Sequence, residues 1–127
     1  MVKFFTDEYA SEILKLLRAN EEFKEDIKDL DVSLMLAVTD KNRAYKIILK
    51  NGEMDIKNVP LSEKAIFKLN ANLDEWIKLA KGEEKIVSAI MGRKLNFEGS
   101  LKEAMQILEH IKGLMSVFEE LAPKTEF

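Results

Sequence analysis

Ile90-Met91-Gly92-Arg93-Lys94-Leu95-Asn96-Phe97-Glu98-Gly99-Ser100-Leu101-Lys102-Glu103-Ala104-Met105 is the stretch that decides the fold. Gly92 fits the left-handed residue that ends a helix. Leu95 and Phe97 alternate with Lys94, Asn96 and Glu98, the period of a strand with one buried face. Gly99 allows a sharp exit, and Ser100 with Glu103 three residues on has the spacing of a capping box. The stretch therefore predicts helix, short strand and capped helix, with Leu95 and Phe97 buried.

Upstream, the helical period comes first. Thr6 can cap a helix whose first turn holds Asp7 and Glu8, and Tyr9, Ile13, Leu16 and Leu17 give it one apolar stripe. Phe23, Ile27 and Leu30 repeat the pattern in a second short helix. From Val32 the period becomes two: Val32, Leu34, Leu36 and Val38 form one strand, and Tyr45, Ile47 and Leu49 a second. Asn51-Gly52 is a two-residue hairpin signal leading to a third strand with Met54 and Ile56, which Pro60 helps to end. Ala65, Phe67, Leu69 and Ala71 predict one face of a fourth. Asn72 then caps a helix bearing Leu73, Trp76, Ile77 and Ala80, ended by Lys81-Gly82. Ile86, Val87, Ile90 and Met91 define another, and the strand quoted first is the fifth. The expected fold is α+β, a five-stranded, mainly antiparallel sheet with helices covering one face.

The composition suits that architecture. The 127 residues are read as one domain, residues 1–127, 46% apolar and 34% charged, with a net charge of −3 from interspersed signs. No clustered basic face marks a nucleic-acid binder. The absence of cysteine excludes disulfides, thiolate nucleophiles and Cys-based metal sites. The start turns acidic at Asp7-Glu8 before a signal-peptide core, and no apolar run is long enough to span a membrane. Cytoplasmic location without stable membrane insertion is the expectation.

Two features carry more apolar surface than a two-layer fold needs. Leu101, Ala104, Met105, Leu108, Ile111, Met115 and Phe118 form one stripe of the C-terminal segment, and Ile107, Leu114, Val117 and Leu121 form another beside it. A surface helix usually buries one stripe. Either the helix breaks near Gly113 into two pieces, or the second stripe faces a ligand, a partner or a dimer mate. Met35 and Ala37 likewise make the second face of the first strand apolar, as expected of a central strand covered on both sides. Met91, Met105 and Met115 can be core filler or the adaptable wall of a pocket.

Catalytic constellations are scarce. His110 is the one histidine and reads as a helix-surface residue. No serine lies in a Gly-x-Ser-x-Gly setting, no phosphate-binding glycine loop occurs, and the many carboxylate pairs sit at helix ends or turns. No catalytic residue, metal ligand or cofactor is expected.

The segments Leu73-Asp74-Glu75-Trp76-Ile77-Lys78-Leu79-Ala80-Lys81-Gly82-Glu83 and Ala89-Ile90-Met91-Gly92-Arg93-Lys94-Leu95, followed by the Ala104-Met105 helix, resemble the sterol carrier protein-2 sterol-transfer family. The resemblance spans most of the chain. It implies a small carrier with a hydrophobic tunnel between sheet and helices that accepts sterols, fatty acids or fatty-acyl-CoA. The chain closes on Pro123-Lys124-Thr125-Glu126-Phe127 without a Ser-Lys-Leu-type address, so a free-standing prokaryotic-type member is the expectation. A fatty acid or other apolar lipid is thus the expected ligand, bound without chemistry. Its expected walls are Phe67, Leu69, Trp76, Met91, Leu95, Phe97, Met105, Leu108, Ile111, Met115 and Phe118. The alternative is an interaction or dimerisation module, a homodimer included, joined through the apolar face of residues 101–121; an acyl-chain enzyme ranks third.

Overall fold

The computed structural model describes every residue except Glu109 and Ile111, and Leu108 by its backbone alone. Strand β1 (Val2–Lys3) leads into helices α1 (Asp7–Arg18) and α2 (Glu21–Ile27). Strands β2 (Asp31–Val38), β3 (Arg43–Lys50), β4 (Glu53–Val59) and β5 (Phe67–Ala71) follow, then helices α3 (Leu73–Ala80) and α4 (Ile86–Met91). Strand β6 (Asn96–Glu98), helices α5 (Leu101–Leu108) and α6 (Lys112–Leu121), a short 3-10 turn and strand β7 (Thr125–Glu126) complete the chain.

Local chemistry starts and stops these elements where the residues require it. Thr6 Oγ1 accepts the Tyr9 N–H, Asn20 caps α2 through the Phe23 N–H, and Asn72 caps α3 through the Glu75 N–H. Asn51 (φ 54°) and Gly52 (φ 80°) both take left-handed conformations, which a two-residue turn of matching twist demands between β3 and β4. Ser100 Oγ accepts the Glu103 N–H at 3.3 Å, the forward half of the expected capping box.

The five-stranded sheet has the order β4-β3-β2-β5-β6. Its pairs are antiparallel except β2 with β5, where Leu34 lies against Phe67 and Leu36 against Leu69. The helices cover one face. Leu34, Leu36, Val38, Ile47, Leu49, Phe67 and Leu69 from the sheet meet Tyr9, Ile13, Leu17, Phe23, Trp76 and Phe118 from the helices in one core. The opposite face of β2 is also dry. Met35, Ala37 and Ala44 pack there against Val59, Leu61 and Ala65. The segment 60–66 that crosses this face is irregular, and the Ile66 N–H donates to Ser33 Oγ (2.9 Å) to hold it.

Four expectations change. Ala65 belongs to that second face and precedes the strand, because the crossing segment delays β5 until Phe67. Leu95 is fully buried but lies before β6, which is only Asn96–Glu98, and Phe97 on this edge strand is half-buried. Gly92 has φ −81° and is not left-handed; Arg93 is, at φ 59°. The Arg93 N–H donates to the Ile90 carbonyl and the Lys94 N–H to the Ala89 carbonyl, the paired bonds of a Schellman motif one residue later than the glycine. Finally, the C-terminal apolar segment is two helices. Gly113 sits inside the first turn of α6 rather than at the break, and the Phe23 ring fills the space its side chain would need (2.7 Å to Cδ1).

No local pattern foretells the two-stranded parallel ribbon, Val2 against Thr125 and Lys3 against Glu126. It draws Phe4 and Phe5 into an aromatic cluster. Phe5 stacks on Tyr45 (4.2 Å, 6°), and Phe4 meets the edge of Tyr9 at 5.0 Å. The Tyr45 hydroxyl donates to the Thr6 carbonyl. The Tyr9 hydroxyl is buried without a hydrogen-bond partner among the described residues, and burial raises its pKa.

Two stability measurements follow from these local costs. Tyr9→Phe removes an orphaned hydroxyl and is expected to raise unfolding free energy by about 1 kcal/mol. Arg93→Gly relieves a side chain at positive φ and is expected to add about 0.5–1 kcal/mol. Urea midpoints at constant slope read both, and a lower midpoint in either variant contradicts the corresponding account.

Candidate functional site

Below β5 and β6 the helix layer is thin. Leu69 opposes Phe97 across the antiparallel pair, and the Phe67 and Phe97 rings lie 5.8 Å apart. Gly99 (φ 127°) turns the chain directly over Phe67; a β-carbon there would stand 2.8 Å from the Ile66 carbonyl and 2.9 Å from the Phe67 ring. This close approach brings the start of α5 beside the sheet edge.

Helices α4 and α5 flank that edge incompletely. In α4 only Ala89 is buried; Ile86 and Ile90 are half-buried, and Val87 and Met91 point outward, Met91 at 78% exposure. None of the described side chains of α5 is buried. Ala104 and Ile107 lie partly against the core, while Leu101 (48%) and Met105 (50%) stand half in water. Ile66 is also exposed, at 52%. Exposed large side chains scattered singly are ordinary; Ile66, Val87, Met91, Leu101 and Met105 are the large apolar side chains left exposed between residues 66 and 105.

The eleven expected wall residues therefore separate. Phe67 and Leu69 on β5 and Leu95 before β6 are buried, Phe97 on β6 is half-buried, and Met91 and Met105 stand exposed on α4 and α5. Trp76 and Phe118 are buried elsewhere in the core: the Trp76 indole N–H donates to the Ala37 carbonyl (2.8 Å), and Phe118 packs 5.9 Å from Tyr9. Met115 is half-buried on α6. Leu108 and Ile111 fall outside the described side chains. Leu114 and Val117, which a subunit-binding face over residues 101–121 would expose, are buried, so the second stripe of that segment serves the core.

One polar arrangement beside this edge is not legible in the sequence. Glu75 sits on the buried face of α3 and is only 5% exposed. Its carboxyl shares a hydrogen bond with Glu84, and Glu84 reaches Lys94 Nζ at 3.4 Å. Burial pushes the Glu75 pKa up, reinforced by the Glu84 bond and charge against the opposing pull of Lys94 and Lys78. Glu84 is drawn down, first by Glu75 and then by Lys94. This chain of contacts ties α3 to the loops before and after α4, so it holds one wall of the edge in place. The only sequence signal is Glu75 four residues before Leu79 on the inward face.

Among the described residues no group of acidic or histidine side chains is arranged to hold a metal, and no helix is long and apolar enough to cross a membrane. His110 is exposed.

The profile of the SCP-2 sterol transfer family matches residues 12–112. No curated protein sequence matches. Among solved structures, the crystal structure of sterol carrier protein 2 superposes with TM-score 0.80 at 23% identity, over 93% of this chain and 98% of that one. A conserved hypothetical protein of Thermus thermophilus, described as possibly a sterol carrier protein, gives 0.79 at 22% identity, over 95% and 91%. The apo form of sterol carrier protein 2 from Yarrowia lipolytica gives 0.64 at 19% identity, over 94% and 96%. At these identities the likenesses establish the fold.

The raised pKa of Glu75 makes a pH prediction. The native state holds the Glu75 proton more tightly than the unfolded chain does, so the stability it contributes is present at low pH. It is lost as pH rises from the unfolded value, about 4.3, through the raised native one. Glu75→Gln keeps a donor toward Glu84 at every pH. Its urea midpoint is expected to gain on the parent between pH 5 and pH 8; a difference that stays constant would show that no proton is held there.

Proposed function

The chain belongs to the SCP-2 sterol transfer family, and from that premise we propose that it binds and carries one apolar lipid, a fatty acid or other acyl chain, without chemistry. The family and fold suggest lipid binding or transfer as the general activity. The finer reading rests on α5. An amphipathic helix normally gains its stability by burying its apolar stripe, yet Leu101 and Met105 remain about half exposed over the β5–β6 edge. A lipid lying between that edge and α5 would complete the missing contacts.

In this reading Phe67, Leu69, Leu95 and Phe97 make the floor, while Met91, Met105 and Met115 make an adaptable wall. The floor side chains are packed, so admission of a chain requires α5 to swing outward, and the bound lipid then replaces the lost packing. Each 100 Å² of apolar surface so covered contributes about 2.5 kcal/mol. Unbranched thioethers suit a wall that must conform to varied chains. Selectivity is by shape and desolvation. No nucleophile–base pair among the described residues competes with this reading.

Native mass spectrometry of the purified protein is expected to find a co-purifying lipid, and a fluorescent fatty acid to bind at one site. Met105→Glu places a charge on an exposed position of α5 and is expected to weaken that binding at least tenfold while leaving the thermal midpoint within about 2 °C. Protein that carries no lipid and takes up no fatty acid removes this function.

A further inference from the structure

Residues 82–94, which carry α4, are weakly packed and held by polar contacts. Both ends take left-handed backbone, Gly82 at φ 76° and Arg93 at φ 59°, and Ala89 is the one buried side chain between them. Segments with so little buried open at low free energy. Two backbone bonds cross the ends: the Glu83 N–H donates to the Lys78 carbonyl (2.9 Å) and the Leu95 N–H to the Ala89 carbonyl (3.1 Å). Glu84, before α4, lies 3.4 Å from Lys94 Nζ, after it. The same Glu84 carboxyl meets Glu75 on α3, which joins the segment to the body of the protein.

Glu75 makes that junction conditional. Its side chain is buried, and Oε2 has no hydrogen-bond partner among the described residues. Two carboxyl groups share a hydrogen bond only while one of them holds a proton. The charged groups that bear on Glu75 are Glu84, Lys94 and Lys78. Glu119 of α6 lies beside Gly82, where a β-carbon would stand 3.0 Å from its Oε1. Once Glu75 ionises it faces the Glu84 charge, and its buried Oε2 lacks a donor. A buried anion without hydrogen bonds is costly, and admitting water through the least packed segment relieves it.

We propose that residues 82–94 form a lid at the Leu95 end of the β5–β6 floor, latched by the Glu75–Glu84 hydrogen bond and released when Glu75 gives up its proton to solvent. What the lid covers rests on the lipid site proposed above, whose α5 wall it complements; the latch itself does not. Burial raises the Glu75 pKa, so release falls above the ordinary glutamate value. In the latched state Leu95 stays enclosed. In the released state its side of the floor opens to an entering chain.

Amide hydrogen exchange on the whole chain, with fluorescent fatty-acid uptake in parallel, tests the lid. Protection of the Glu83 and Leu95 amides, corrected for intrinsic exchange, is expected to fall at least tenfold between pH 5 and pH 8. In Glu75→Gln, which keeps a donor at every pH, it is expected to stay within twofold. The Leu36 amide of β2 is expected to remain at least a hundredfold more protected throughout. A reporter thiol gives a second measurement, since the chain has no cysteine. Alkylation of Ala89→Cys, relative to a free thiol, is expected to quicken at least tenfold over the same range, and not when Glu75→Gln is added. Fatty-acid association is expected to quicken with pH in the parent relative to Glu75→Gln. Protection that is flat in the parent, or that falls equally in Glu75→Gln, overturns the latch. Exchange of Glu83 and Leu95 only in step with Leu36, by global unfolding, overturns it too. Protection that falls while the relative association rate stays level overturns the lid. A protein that takes up no fatty acid at any pH removes the lipid site and leaves the latch to be decided by exchange alone, so the two readings fail separately.

Discussion

Strand β2 is buried on both faces from Leu34 to Val38, and the rest of the architecture answers to that constraint. It is hydrogen-bonded on one side to β3 and on the other to β5. Leu34, Leu36 and Val38 point into the helix layer; Met35 and Ala37 point the other way into a small second core. An apolar face left wet costs about 25 cal/mol per Å², so both faces need a cover. Helices supply one. The irregular crossing 60–66 supplies the other, and this same crossing lets β5 lie parallel to β2, a pairing that no tight turn could join.

The cover over the helix side is uneven. Near β3 and β4, helices α1, α2 and α6 interlock closely enough that Gly113 is needed to admit the Phe23 ring. Near β6 the sheet ends in a three-residue edge strand, and α4 and α5 present apolar side chains that find too little to bury against. A fold that closes tightly on one side and loosely on the other concentrates its adaptable volume at one edge. The Glu75–Glu84–Lys94 chain steadies α4 there, leaving α5 as the element with least to lose by moving. Regions with few buried apolar contacts are those that open at lowest free energy.

The strongly perturbed groups, Tyr9, Tyr45 and Glu75, owe their shifts first to burial. The hydroxyl of Tyr45 is spent on the Thr6 carbonyl and the carboxyl of Glu75 on a loop contact. Perturbed pKa values mark functional sites only when the groups face a cleft; Tyr45 and Glu75 face structural partners, and Tyr9 is enclosed in the aromatic cluster.

By itself the sequence determined whatever is encoded within a few residues. The caps at Thr6, Asn72 and Ser100, the Asn51-Gly52 turn and the alternation through β2, β3 and β4 are read directly, because each depends on local backbone geometry and on the period of its own side chains. The same holds for the family signature around Met91 to Leu95. Residues 90–105 also show the limit: helix, strand and helix were legible, but the left-handed position fell on Arg93 and not on Gly92, since helix length is set by what the helix packs against. Tertiary structure alone decided which apolar residues are core and which are rim. Periodicity assigns a face to Trp76, Phe118, Met91 and Met105 alike, but only the neighbours brought from distant segments bury the first two and leave the others in water. The β1–β7 ribbon and the Glu75–Glu84 contact belong to the same class. Each joins residues whose local sequence carries no trace of the partner, because the free energy of their pairing exists only once the chain has closed around them.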